Sequence, residues 1–233
     1  AVGILGGKAQ AIEWGETPTF VDPLVVVGAA LLIANVATPI FKVRTRKLYV
    51  TLWYFSAMMV WMPLTYVMGN FVPQYFVPGA GGAAVTGLYI HDLVGLTVTP
   101  LGWGMMYYFV PKAANRPVYS YRLSIIHFWA LVFMYIWAGP HHLHYTALPD
   151  WAQTLGAAFS IMLIAPSWGG MLNGLLTLRG AWNKVRQDPI LKFFVLSLTF
   201  YGMSTFEGPM MSIKAINSLT HYTDYTVAHV HGG

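Results

Sequence analysis

The chain has 233 residues, 56% of them hydrophobic and 9% charged, with a formal net charge of +5 and a mean hydropathy of +0.54. Soluble globular domains carry about 25% charge, so this composition excludes one and demands several membrane spans. Cysteine is absent, which rules out disulfides, thiolate metal sites and a covalently attached c-type haem within these residues.

Apolar stretches of spanning length recur at 22–41, 48–69, 83–110, 120–139, 151–178 and 190–211, and a seventh begins near 222. Breakers stand between them: Pro73 and Pro78 with the Gly79-Ala80-Gly81-Gly82 run, then Pro111 to Pro117, then Pro189. The expected fold is an all-α membrane protein, one transmembrane helical domain over 1–233, with six full helices and the start of a seventh. Ala1 stands in place of an initiator methionine, and no signal-peptide pattern opens the chain. The last apolar segment stops at Gly233, short of the roughly 20 residues a span needs. The chain is therefore expected to be an internal piece of a longer protein, truncated at both ends.

Charge placement sets the expected orientation. Lys42, Arg44, Arg46 and Lys47 follow the first span, Lys112, Arg116 and Arg122 the third, and Arg179, Lys184, Arg186 and Lys192 the fifth. Loops rich in Lys and Arg stay cytoplasmic, so these alternate loops face inward. Glu13, Glu16, Asp22, Asp150 and Asp224 lie in the opposite loops. The basic residues mark an orientation, and no nucleic-acid partner is expected.

Histidines carry the chemistry. His141 and His142 end the fourth span, and His229 and His231 lie about two turns into the seventh, all in the outer half of the membrane by this orientation. Imidazole is the commonest metal ligand among side chains, and an unpartnered polar ring in a membrane segment is costly. Residues two apart on a helix point about 200° from each other, so His229 and His231 suit two groups on opposite sides, such as two haems side by side. Two unrelated polar positions would give the same pattern. His141 and His142 can converge on one ion only where the helix unwinds, and Pro140 weakens regular geometry just before them. His91, in the outer half of the third span, is the candidate third ligand for a trigonal copper site; alone, it would read as a hydrogen-bonded structural histidine.

These residues together resemble the haem–copper oxidase superfamily, and most closely the catalytic subunit of the cbb-type, or C-family, cytochrome c oxidases. The resemblance rests on Ile90-His91-Asp92-Leu93-Val94-Gly95-Leu96, on Gly139-Pro140-His141-His142-Leu143-His144-Tyr145-Thr146 and on Ser204-Thr205-Phe206-Glu207-Gly208-Pro209-Met210-Met211. It continues through His221-Tyr222-Thr223-Asp224-Tyr225 to His229-Val230-His231. It implies that His91, His141 and His142 bind copper, that His229 is the proximal ligand of a high-spin haem b, and that His231 is one axial ligand of a low-spin haem b. The other axial ligand would come from an earlier helix outside these residues. Most other oxidase branches place a tyrosine four residues after the first copper histidine; here that position is Gly95, and Tyr135 on the following helix matches the C-family alternative. The resemblance also implies a multi-pass protein of the bacterial inner membrane with c-type cytochrome subunits as partners. Cytochrome c would donate the electrons, dioxygen would be reduced to water, and protons would be translocated.

Further residues follow from this site. Tyr135 lies less than two turns before His141, where a phenol can give an electron and a proton to dioxygen. Ser124 precedes Tyr135 by about three turns on one face, and His127 is offset by about 80°, so Ser124, His127 and Tyr135 could form a wet line, with Tyr201, Ser204 and Thr205 joining from the sixth span. Each hydroxyl could equally bond its own backbone. Glu207 is a carboxyl in an apolar span, expected at the depth of His229, where a bond from the imidazole would raise its basicity and lower the iron potential. His221 and Asp224 are candidates for haem propionate contacts or for a solvated loop. Asp92 could orient His91 or belong to a polar exit region; His144 has no ligand role that spacing supplies.

Two other functions share parts of this pattern. A nitric oxide reductase would carry non-haem iron in place of copper and recruit a glutamate beside the metal histidines. A di-haem membrane cytochrome b could use the 14-residue spacing of His127 and His141, but it needs a matching pair on a second helix and leaves His91 and His142 idle.

Overall fold

The structure is a computed structural model that describes residues 1–42 and 47–233. Arg44 and Arg46, used above for orientation, lie outside the described residues. Among those described, six helices are long and apolar enough to cross a membrane: Thr19–Lys42, Val50–Tyr75, Ala80–Ala114, Tyr121–Leu143, Asp150–Thr177 and Pro189–Met211. A seventh helix, Asp224–Gly232, closes the chain, with the Thr223 hydroxyl capping its start. The expected all-α membrane bundle is what forms.

Prolines and glycines shape these helices differently from the loops expected of them. Pro111 lies inside the third span, which continues to Ala114 and stops at left-handed Asn115 (φ 52°). So close to a helix end, its ring forfeits only one intrahelical bond. Gly81 and Gly82 are helical as well, because the break falls earlier, at Gly79 (φ 67°). Pro73 opens a short helical turn, Val72–Tyr75. Pro189 starts the sixth span at the position where its missing N–H costs nothing, and the Asp188 side chain accepts from Ile190 N at 2.8 Å.

Two interior breaks matter for the site. The third span loosens into a π turn at Val94–Val98, just ahead of Pro100, whose missing N–H cannot reach the Leu96 carbonyl. The fourth span tightens into a 3₁₀ turn at Gly139–Leu143, because Pro140 likewise withdraws a donor. The third and fourth spans cross there in close contact: a Cβ on Gly139 would stand 2.9 Å from Leu88 Cα.

The second to sixth spans share a core of Tyr54, Trp103, Tyr107, Phe128, Leu131, Leu163 and Leu198. The first span packs on the second and is buried only at Asp22. At one end the basic loops meet: Arg116 donates to the Gly180 carbonyl at 2.8 Å, and Lys184 to that of Ala114 at 3.2 Å. At the other end Lys214 pairs with Asp150, and buried Asp22 accepts from Tyr66 at 3.0 Å and Gln10 at 3.1 Å.

Candidate metal centre

The 3₁₀ turn brings His141 and His142 together. Both residues lie in that turn, past the last regular turn of the helix, and their ring centroids stand 4.3 Å apart. His91 closes the set from the third span, 4.6 Å from His141 and 5.5 Å from His142. The three offer ligand nitrogens that all lie within 4.8 Å of one another, with no carboxylate in the group. His91 is buried, and its Nε2 has no hydrogen-bond partner among the described residues. Three neutral imidazoles without a thiolate or carboxylate suit copper or another late transition metal, so the donor set fits the expected ion.

The neighbours of the trio fix its chemistry. Ser160 on the fifth span donates to the Gly156 carbonyl at 2.6 Å, so its hydroxyl proton is committed and the oxygen is left to accept from His141 Nδ1. That bond assigns the His141 proton to Nδ1 and frees the Nε2 lone pair for a metal. Just past the turn, His144 donates from Nε2 to the Ser212 carbonyl at 2.7 Å while fully buried. This answers the question its spacing left open: His144 ties the histidine turn to the end of the sixth span.

Tyr135 lies against the trio. Its ring stacks on His91 with centroids 4.1 Å apart and planes 21° from parallel. Gly95 makes the room, since a Cβ there would fall 1.8 Å from the Tyr135 ring. The phenol from the fourth span thus fills the volume that a side chain four residues after His91 would take.

On the terminal helix the two histidines diverge. His229 faces the sixth span and donates from Nδ1 to Glu207 at 3.2 Å. His231 is exposed and donates from Nδ1 to its own helix, at the Val227 carbonyl, 2.8 Å away. In both, Nε2 is the nitrogen left for an axial bond, and the two rings leave the helix on different sides. This fits one haem per ring. His221 stacks on Tyr222 at 4.0 Å, half-buried, and Asp224 opens the helix, exposed.

The suggested proton line is placed as follows. Ser124 donates to the Tyr121 carbonyl at 2.6 Å, Ser204 to Phe200 at 2.9 Å and Thr205 to Tyr201 at 2.6 Å, all within their own helices. Their oxygens remain free to accept. The Tyr201 hydroxyl and His127 Nε2 are buried without partners among the described residues. His127 itself meets two hydroxyls at Nδ1, Tyr54 at 2.9 Å and Tyr107 at 3.1 Å, and Asn173 reaches Tyr107 at 3.4 Å. Sequence reasoning missed Tyr54, Tyr107, Asn173 and Ser160. Asn173 had a signal, an amide inside an apolar span; a phenol on an aromatic-rich helix has none.

Comparison with known proteins gives a consistent result. The family model described as "Cytochrome C and Quinol oxidase polypeptide I" matches residues 2–233. The chain is 53% identical over 245 residues to a cytochrome c oxidase subunit 1 homolog of Agrobacterium tumefaciens, covering 100% of the chain and 45% of that protein. It is 53% identical over 243 residues to cytochrome c oxidase subunit 1 of Rhodobacter capsulatus, covering 100% and 46%. To the cbb3-type cytochrome c oxidase subunit CcoN1 of Stutzerimonas stutzeri it is 51% identical over 241 residues, covering 100% and 51%. The chain spans about half the length of these curated relatives.

Proposed function

Because the chain belongs to the cytochrome c and quinol oxidase polypeptide I family, we propose that it forms the metal-binding core of a cbb-type terminal oxidase. That enzyme reduces dioxygen to water at a high-spin haem b–copper pair, takes its electrons from cytochrome c through c-type cytochrome subunits, and translocates protons across the bacterial inner membrane. The observation that carries this reading is Tyr135 stacked on His91 within the histidine trio.

The residues divide the work. His91, His141 and His142 hold copper, with Ser160 orienting His141. His229 would hold the high-spin haem b and His231 the low-spin haem b. Bound there, haem and copper supply the redox chemistry on dioxygen. Tyr135 adds an electron and a proton from its phenol. Glu207 accepts from the His229 imidazole, making it a stronger donor and lowering the iron potential. Ser124, His127, Tyr201, Ser204 and Thr205 carry protons from the basic-loop side, which faces the cytoplasm. His221 and Asp224 contact the haem propionates at the opposite mouth.

Glu207 pairs with His229 and not with the trio, which favours copper over the non-haem iron of a nitric oxide reductase. The His127 ring, enclosed by Trp103 and two tyrosines, offers no open face for a haem, which speaks against a di-haem cytochrome b. The test is a reduced, carbon-monoxide-treated optical spectrum of the full-length protein with iron and copper counted. Two b haems, one reactive to carbon monoxide, and one copper are expected; non-haem iron without copper would overturn the oxidase reading.

A further inference from the structure

Among the described residues, the terminal helix that carries His229 packs mainly on the sixth span and on the short helix Lys214–Thr220 leading into it. The turn that carries His141 and His142 packs mainly on the third, fourth and fifth spans. The function proposed above needs the trio and His229 at one fixed separation, since dioxygen must meet both metals at once. That separation depends on what fastens the histidine turn to the sixth span.

His144 is such a fastening. It is 1% exposed, and its Nε2 donates to the Ser212 carbonyl at 2.7 Å. A carbonyl oxygen only accepts, so the ring proton is on Nε2. Nδ1 has no partner among the described residues, which leaves this one bond to orient the ring. Ser212 closes the last turn of the sixth span, its N–H bonded to the Gly208 carbonyl at 3.0 Å. Glu207, which takes the bond from His229, lies about a turn and a half earlier on that span. One short stretch, 207–212, thus holds both the histidine turn and His229.

Tyr145 adds a second tie. Its hydroxyl donates to the Lys214 carbonyl at 2.6 Å, and Lys214 pairs with Asp150 at the start of the fifth span. The Tyr145 backbone is left-handed, φ 63°, a conformation that a tyrosine keeps only where its surroundings enforce it. Buried Gln153 does so, accepting from Tyr145 N at 3.0 Å and donating to the Leu148 carbonyl at 2.6 Å. The bend lets two consecutive side chains reach the same segment, 212–214.

We propose that His144, seconded by Tyr145, is a positioning residue that sets the separation between the histidine trio and the haem of His229. This rests on the ligand assignments proposed above and extends them to side chains outside the ligand set.

The test uses the full-length oxidase complex with His144→Leu, His144→Gln and Tyr145→Phe, with iron and copper counted in each. The readout is the C–O stretching band of carbon monoxide on the reduced high-spin haem, which shifts with what lies against the bound gas. Wild type and His142→Ala, which lacks one ligand of the trio, mark the band with and without a metal facing the gas. With metal content intact, His144→Leu is expected to move and broaden the band and slow dioxygen consumption roughly 10- to 100-fold. His144→Gln keeps a donor at similar reach and should recover band and rate. Tyr145→Phe should shift the band the same way but less. An unmoved band in His144→Leu, or one moved as far in His144→Gln, would overturn the proposal. If His144→Leu loses haem or copper, Tyr145→Phe decides, and an unmoved band there overturns it. Identical bands in wild type and His142→Ala would instead show that the haem does not face the trio, which removes the oxidase reading and this proposal with it.

Discussion

The histidine trio and the terminal histidine pair are built in opposite ways. Two spans supply the trio, a third braces it through Ser160, and a phenol lies flat on one of its rings. The pair rides on a nine-residue helix, with one ring tied to Glu207 and the other tied only to its own backbone and exposed. A metal needs several rings at once in fixed relative positions, and packed helices provide that. An axial haem ligand needs one ring with a defined tautomer, and a single hydrogen bond provides that. Substitutions around the trio should therefore change what is bound or whether it turns over, whereas those around the pair should tune a potential.

Tyr135→Phe is the sharpest test of that contrast. It should abolish dioxygen consumption while haem spectra and copper content stay near wild type; normal turnover would take Tyr135 out of the reaction. Ser160→Ala comes next, because it frees the His141 ring. Copper affinity should fall roughly 10- to 100-fold in a chelator competition, with both haems retained. On the other side, Glu207→Gln should leave haem bound and raise the potential of the His229 haem by roughly 60 mV, a tenfold change for one electron. Loss of that haem would mean the pair is built like the trio, and the contrast would fail. Ser124→Ala should be mildest, slowing proton uptake about two- to threefold, since its hydroxyl already satisfies a backbone carbonyl.

Sequence exposed what depends on residue type in an apolar setting. Histidines, a lone glutamate and six runs of spanning length stand out because the membrane makes each of them costly or necessary. The Glu207–His229 pairing was readable from depth taken together with the family resemblance. Helix ends were harder: Pro111 and the glycines near Gly79 advertise breaks, but a proline near a helix end loses only one bond, so the helices run past them. Least legible were contacts between spans. Ser160 and Tyr54 matter because of which ring each faces, and that depends on rotation and crossing of helices, which periodicity in a helix apolar all round does not report.

Gly95 and Tyr135 have a consequence for ancestry. They are one volume shared by two codons. Adding a ring at 95 first would drive it into the phenol already present, at 1.8 Å from the first new carbon. Removing the ring at 135 first would open a hole costing about 3–5 kcal/mol and take away the phenol. Either single step crosses a fitness valley, so lineages that draw this phenol from one helix or the other should keep their choice, and a laboratory exchange should succeed only when both positions are changed together.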